Sequence, residues 1–179
     1  MNDKSRLIQI LKEKSVKIGT FTLASGKQSN FYIDARHTTL HAEGSLLIAR
    51  LIYQQLDTHI IGVGGPVTGA DPIAGAVALY SQTQGKAVHG FMVRKKPKGH
   101  GGKHWIEGLQ NIPPGSAICI VEDTVTTGGS LLTAIQKCEE AGLVVSQCIA
   151  VVDREEGAAE NIRQAGYPFT ALTTKEELL

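Results

Sequence analysis

Two adjacent carboxylates, Glu122 and Asp123, stand at the end of the apolar run AICIV (117–121) and are followed at once by TVTTGGS (124–130). The spacing has a chemical meaning. A buried strand would deliver both acids to its C-terminal end, where open α/β sheets bind their ligands, and a helix would open at Ser130 behind a Gly-Gly turn. Helix N-termini offer unpaired N–H groups and a positive dipole to phosphate. Gly128 and Gly129 let the backbone curl close to an anion, while Thr126, Thr127 and Ser130 add hydroxyl donors. Two carboxylates beside that turn would repel a second phosphate. They suit vicinal hydroxyls and, indirectly, a divalent cation, so a ribose 5-phosphate fits the pattern. The stretch has neither the GxxxxGK[ST] of a P-loop nor the GxGxxG of a dinucleotide site.

A second stretch complements the first. Residues 94–104 hold Arg94, Lys95, Lys96, Lys98, His100, Lys103 and His104 with no acid, and Gly99, Gly101 and Gly102 make the segment pliable. Such a loop can cover a leaving anion, neutralise its developing charge and exclude water. A third stretch, GVGGPVTGADPIAG (62–75), carries Gly64, Gly65 and Gly69, which permit close backbone approach to a ligand but equally suit a tight strand-to-helix turn before Asp71-Pro72.

The elements that must position these groups follow from periodicity. Leu7, Ile8, Ile10 and Leu11 predict an amphipathic helix over 4–14, and the alternating stretches 16–23 and 29–34 predict a hairpin. Helices over 43–56, 72–83, 129–141 and 155–165 then alternate with strands over 60–65, 88–93, 117–121, 144–152 and 168–172, with Gly142 and Gly166 closing two of the helices. The fold class is α/β, a doubly wound, mainly parallel sheet flanked by helices with a small N-terminal hood over about 1–40. At roughly 100–200 residues per domain, the 179 residues make a single domain in which the long loop 94–108 stands out as functional.

Composition limits the partners. With 18 Lys+Arg against 17 Asp+Glu, the net charge of +1 excludes a broad basic surface for nucleic acid. Without the five basic residues of 94–103, the rest of the chain has 13 basic against 17 acidic residues, so a mildly acidic body carries one concentrated basic loop. No apolar run approaches the ~18 residues of a membrane span. Cys119, Cys138 and Cys148 are odd in number and lack CxxC spacing, which points to neither a disulfide framework nor zinc but to a reducing, cytoplasmic setting. His37 and His41, like His100 and His104, have i, i+4 spacing but no third placed ligand, so they do not predict a metal site.

VEDTVTTGGS (121–130) resembles the phosphoribosyl-diphosphate motif of the type I phosphoribosyltransferases. FTLASGKQSNFYID (21–34) resembles the hood segment of the orotate phosphoribosyltransferases, RKKPKGHGGKHWIEG (94–108) their mobile catalytic loop, and VVDREEG (151–157) the segment with their base-binding arginine. The four stretches occur in the family's order and span the chain. The resemblance implies transfer of ribose 5-phosphate from phosphoribosyl diphosphate to orotate with Mg²⁺. It implies that Glu122, Asp123, Thr124, Val125, Thr126, Thr127, Gly128, Gly129 and Ser130 hold the phosphoribosyl group, with the two acids on the ribose hydroxyls. Arg94, Lys98 and His100 would contact diphosphate, and Lys95 would reach the other subunit's site, which implies a homodimer. Lys27, Phe31, Tyr32, Thr126 and Arg154 would surround orotate. The metal would be held mainly by substrate oxygens, with Asp123 or Asp71 acting through water. Lys96 and Thr124 depart from the family's usual acidic and aliphatic residues. A purine phosphoribosyltransferase would share the central motif but has no use for Lys27 and Arg154. A phosphoribosyl-diphosphate sensor has no use for Lys98 and His100.

Overall fold

The computed structural model describes residues 2–22, 28–97 and 104–179. Helix α1 (Asp3–Lys14) buries Leu7, Ile10 and Leu11 at helical spacing, is capped by Asn2 onto the Ser5 N–H, and ends on Lys12 and Lys14. Strands β1 (Val16–Thr22) and β2 (Gln28–Ile33) pair antiparallel as a separate hairpin. Two helices follow, α2 (Arg36–Thr39) and α3 (Ala42–Gln55).

The main sheet contains β3 (Gly62–Pro66), β4 (His89–Val93), β5 (Ile106–Glu107), β6 (Ala117–Val125), β7 (Val144–Asp153) and β8 (Phe169–Thr174). Their spatial order is β5-β4-β3-β6-β7-β8, parallel throughout except for β4 with β5. Helix α4 (Ala70–Thr83) joins β3 to β4, α5 (Gly129–Glu140) joins β6 to β7, and α6 (Ala158–Gln164) joins β7 to β8. The chain therefore winds outward in opposite directions from the β3/β6 pair. A crevice opens at the C-terminal ends of strands where the order reverses in this way, and ligands bind there.

Each face of the sheet has its own core. Leu7, Leu47, Ile48, Ile52, Ile73 and Val77 of α1, α3 and α4 cover one face. Leu131, Ile135, Cys138 and Ile162 of α5 and α6 cover the other. Leu178 of the short C-terminal helix α7 (Lys175–Leu178) joins the first core. Among the described residues, no helix is long and apolar enough to cross a membrane.

Three boundaries differ from the sequence reading, each for a local reason. Strand β6 runs on to Val125 because β7 stays paired with it as far as Val125↔Asp153, so both acids lie within the strand instead of after it. Helix α6 starts at Ala158, since Glu155 (φ 57°) and Gly157 (φ 101°) are left-handed and cannot continue a helix. The loop after β4 is shorter than 94–108 because Ile106 and Glu107 pair back onto it. The short helices α2 and α7 and a 3-10 turn at Leu109–Asn111 were not anticipated; each is too brief to display an apolar period.

Part of the glycine-rich run serves this packing. A Cβ on Gly64 would overlap the Phe91 carbonyl oxygen and lie 2.6 Å from its ring, while one on Gly65 would overlap the Val121 carbonyl oxygen. The neighbouring strands occupy the space these glycines leave. Gly64→Ala is expected to lower stability by about 3 kcal/mol or more through backbone overpacking. A loss of less than a third of that in urea unfolding free energy would show that the sheet relaxes around the added methyl group.

Candidate active site

Alternation along β6 sends its two acids to opposite faces. Cys119 and Val121 belong to the core under α3 and α4, and Ile118 and Ile120 to the core under α5, so Asp123 follows the first pair and Glu122 the second. Both still reach the main cavity because they sit at the strand's tip. Glu122 is buried, and burial, reinforced by neighbouring Asp123 and opposed by Lys95, pushes its carboxyl up to about 8. Burial also raises Asp123, although the Thr124 N–H donates to its Oδ1 at 2.8 Å and Arg36 favours the charged form. Gly69 completes the fit: a Cβ there would overlap Asp123 Oδ1.

Two cavities meet at Glu122. The larger, about 510 Å³, is walled by Tyr32, Asp34 and Arg36 from the hairpin side, by the Val67–Gly69 turn, and by Arg94 and Lys95. The smaller, about 260 Å³, is enclosed by Glu122 and the turn 124–131. Gly128 (φ 82°) opens α5 with no side chain capping that end, so the first-turn N–H groups face the cavity without helical partners. The turn is strapped from behind. The Ala158 N–H donates to the Thr126 carbonyl at 3.0 Å, Asn161 Nδ2 to the Thr127 carbonyl at 2.9 Å, and the Arg154 N–H to the Val125 carbonyl at 3.0 Å.

Residues 36–165 match the family described as "Phosphoribosyl transferase domain". An orotate phosphoribosyltransferase of Aquifex aeolicus is 43% identical over 100% of this chain and 99% of its own length. A Bradyrhizobium relative of the same name is 45% identical, covering 98% and 97%. The crystal structure of the Mycobacterium tuberculosis orotate phosphoribosyltransferase in complex with 5-phospho-alpha-D-ribosyl 1-diphosphate superposes with a TM-score of 0.82 at 34% identity, covering 99% of each chain. The chain belongs to the orotate phosphoribosyltransferase family.

In this phosphoribosyltransferase, the residues read from the sequence fall into three groups. Arg94, Lys95, Glu122, Asp123, Thr124, Ser130 and Tyr32 line the main cavity, and Val125, Thr126, Thr127, Gly128 and Gly129 join the smaller one. Lys95, expected to reach a partner's site, lines the main cavity of this chain, where its charge opposes the rise at Glu122. Phe31 and Arg154 are brought together, the guanidinium 5.6 Å from the ring centroid, but neither lines either of the two cavities. Arg154 also pairs with Glu156 at 2.9 Å, and its buried Nε has no partner among the described residues. Lys27, Lys98 and His100 lie outside the described residues. His41 caps α3 by accepting the Gly44 N–H, and His37 faces Asp34 at 3.7 Å.

Sequence reasoning missed three side chains of this phosphoribosyltransferase. Asp34 and Arg36 form a fork, with Arg36 Nε and Nη2 each donating to one Asp34 oxygen at 2.8 Å. The pairing holds Asp34 below the usual carboxylate range and raises Arg36. An Asp-x-Arg pair at a strand end was the available signal. Glu107, the third, binds Arg94 across the base of the loop at 2.7 Å.

Carboxylates of the main cavity fit the chemistry of Mg²⁺. Among the described residues, no cluster of three or more acids, histidines or cysteines could hold a metal alone. Carboxylates at Glu122 and Asp123 are the hard oxygen donors Mg²⁺ takes, usually beside waters and phosphate oxygens. Asp71 adds a buried Oδ1 without a partner among the described residues, its carboxyl raised by burial.

Burying Glu122 has a measurable consequence. Between its ordinary 4.5 and about 8 the unfolded chain has lost a proton that the folded chain retains. Folding stability therefore falls as pH rises through that window, by up to about 1.4 kcal/mol per unit. Glu122→Gln is expected to remove most of this slope, matching the parent near pH ~4.5 and exceeding it above pH ~8 in urea unfolding. Parallel stability curves for the two proteins would mean that Glu122 is solvated in solution.

Proposed function

We propose that this chain transfers ribose 5-phosphate from phosphoribosyl diphosphate to orotate, giving orotidine 5′-monophosphate and diphosphate, in pyrimidine nucleotide synthesis. The observation that carries the reading is the junction of the two cavities at Glu122, where an uncapped helix N-terminus adjoins paired carboxylates. A 5-phosphate suits the N–H groups and hydroxyls of Thr126 to Ser130. The ribose hydroxyls then reach Glu122 and Asp123. The name of the full-length Aquifex relative and the phosphoribosyl diphosphate of the Mycobacterium complex support both substrates.

The reaction needs placement and charge stabilisation, with no covalent nucleophile. As the bond from the anomeric carbon to diphosphate loosens, positive charge grows on the ribose, where Asp123 favours it. Negative charge grows on diphosphate, where Arg94, Lys95, Lys98 and His100 receive it. Mg²⁺, when bound to the substrate's oxygens, supplies further charge neutralisation. Orotate is an anion with polar ring edges. Arg154, Lys27 and Thr126 are its polar contacts, and Phe31 and Tyr32 line the ring.

The chain acts as a single unit over 1–179, with its hood over about 1–40 and a catalytic loop between β4 and β5. It works as a cytoplasmic homodimer, without nucleic acid or membrane, and loop residues are shared between subunits. Exposed Leu46 and Leu79 flank an apolar groove of about 370 Å³ between α3 and α4, a surface suited to a second copy.

Orotate absorbance is expected to fall only when phosphoribosyl diphosphate and Mg²⁺ are both present, with Lys98→Ala reducing turnover far more than it weakens orotate binding. Equal turnover with adenine or hypoxanthine would contradict the base assignment. An unchanged rate in Lys98→Ala would remove the loop from the chemistry.

A further inference from the structure

The first basic residue after β4 has an acidic partner in Glu107. The antiparallel register sets Met92 opposite Glu107 and Val93 opposite Ile106, and the Arg94 N–H donates to the Trp105 carbonyl at 2.8 Å. Arg94, two residues beyond Met92, thus lies on the same face as Glu107 and diagonal to it. Its Nη1 donates to Glu107 Oε1 at 2.7 Å. The far strand is fixed in turn: Lys137 of α5 lies 4.8 Å over the Trp105 ring, tying the loop's base to the helix that opens the smaller cavity.

Both partners are more than one-third exposed, and a pair of that kind contributes little to folding stability. Its location suggests another role. Arg94 stands on the lip between the main cavity and a neighbouring one that Thr68, Asp71, Lys95 and Glu107 also line. Lys95, the next residue, lines both cavities as well. A guanidinium has five N–H donors in a rigid fork, so one bond to Glu107 fixes its orientation while other edges remain for phosphate oxygens. An arginine left unheld would spread over many rotamers and would have to be ordered at each encounter with an anion.

We propose that Glu107 is a positioning residue for Arg94, holding its guanidinium ready for the diphosphate group. The proposal rests on the phosphoribosyltransferase reading above. Glu107 touches no reacting atom. It acts by restricting Arg94 before the anion arrives, leaving the other edges of the guanidinium for phosphate oxygens.

A double-mutant cycle separates this role from a structural one. Glu107→Ala is expected to lower kcat with phosphoribosyl diphosphate by roughly tenfold, to weaken inorganic diphosphate binding in calorimetry by a similar factor, and to leave the KM for orotate and the Tm unchanged. Glu107→Gln, which keeps a carbonyl acceptor, should recover most of both losses. In an Arg94→Ala background, Glu107→Ala should do nothing more to either quantity. An equal loss with or without Arg94, or no loss in the single variant, would overturn the proposal. If the coupling appears in diphosphate binding while the parent turns over no orotate, the pairing stands and the reaction assignment fails.

Discussion

Desolvation of two neighbouring carboxylates at the end of β6 is the constraint from which the site is organised. Glu122 loses water to the sheet and to α5, and Asp123 to the hairpin side and the turn before α4. Neighbouring groups temper both rises: Lys95 opposes it at Glu122, and Arg36 with the Thr124 N–H opposes it at Asp123. Arg36 is itself held by Asp34. Asp34, Arg36, Lys95, Glu122 and Asp123 thus set acidic and basic side chains next to one another along the main cavity.

The sheet topology explains why these groups converge. Reversal of strand order between β3 and β6 leaves the turn Val67–Gly69 on one side of a crevice and the β6 tip on the other. A larger residue at position 69 would fill the space of the Asp123 carboxylate. The Thr126–Gly128 turn next to it gains rigidity from α6, whose backbone and Asn161 hold the Thr126 and Thr127 carbonyls. Function and packing share the same backbone here.

The sequence was most informative where one element supplies both the chemistry and its own placement. VEDTVTTGGS is such an element, since a buried strand, paired acids and a glycine turn stand in one continuous run, and its residues line the two cavities. The winding of the sheet was legible too, because apolar runs alternate with helical periods. What escaped depends on distant pairing. Glu107 reads as an unremarkable acid until β5 folds back on β4, and the Asp34–Arg36 fork acquires meaning only when both residues line the cavity that Asp123 also lines. Gly64 and Gly65 were ambiguous between ligand approach and packing, and only the Phe91 and Val121 carbonyls decide for packing. The face on which each acid of β6 emerges depended on how far the strand runs, which pairing with β7 sets.

The central claim is that Glu122 must be charged to accept the ribose hydroxyls, while its site in the free protein favours the neutral acid. The most direct test is the pH dependence of kcat/KM for phosphoribosyl diphosphate, which reports the ionisation of the free enzyme. The account predicts a value that climbs about tenfold per pH unit and levels off near the about 8 at which Glu122 titrates, with this limb absent in Glu122→Gln. A profile flat through that range in the parent protein, or the same limb in Glu122→Gln, would contradict it.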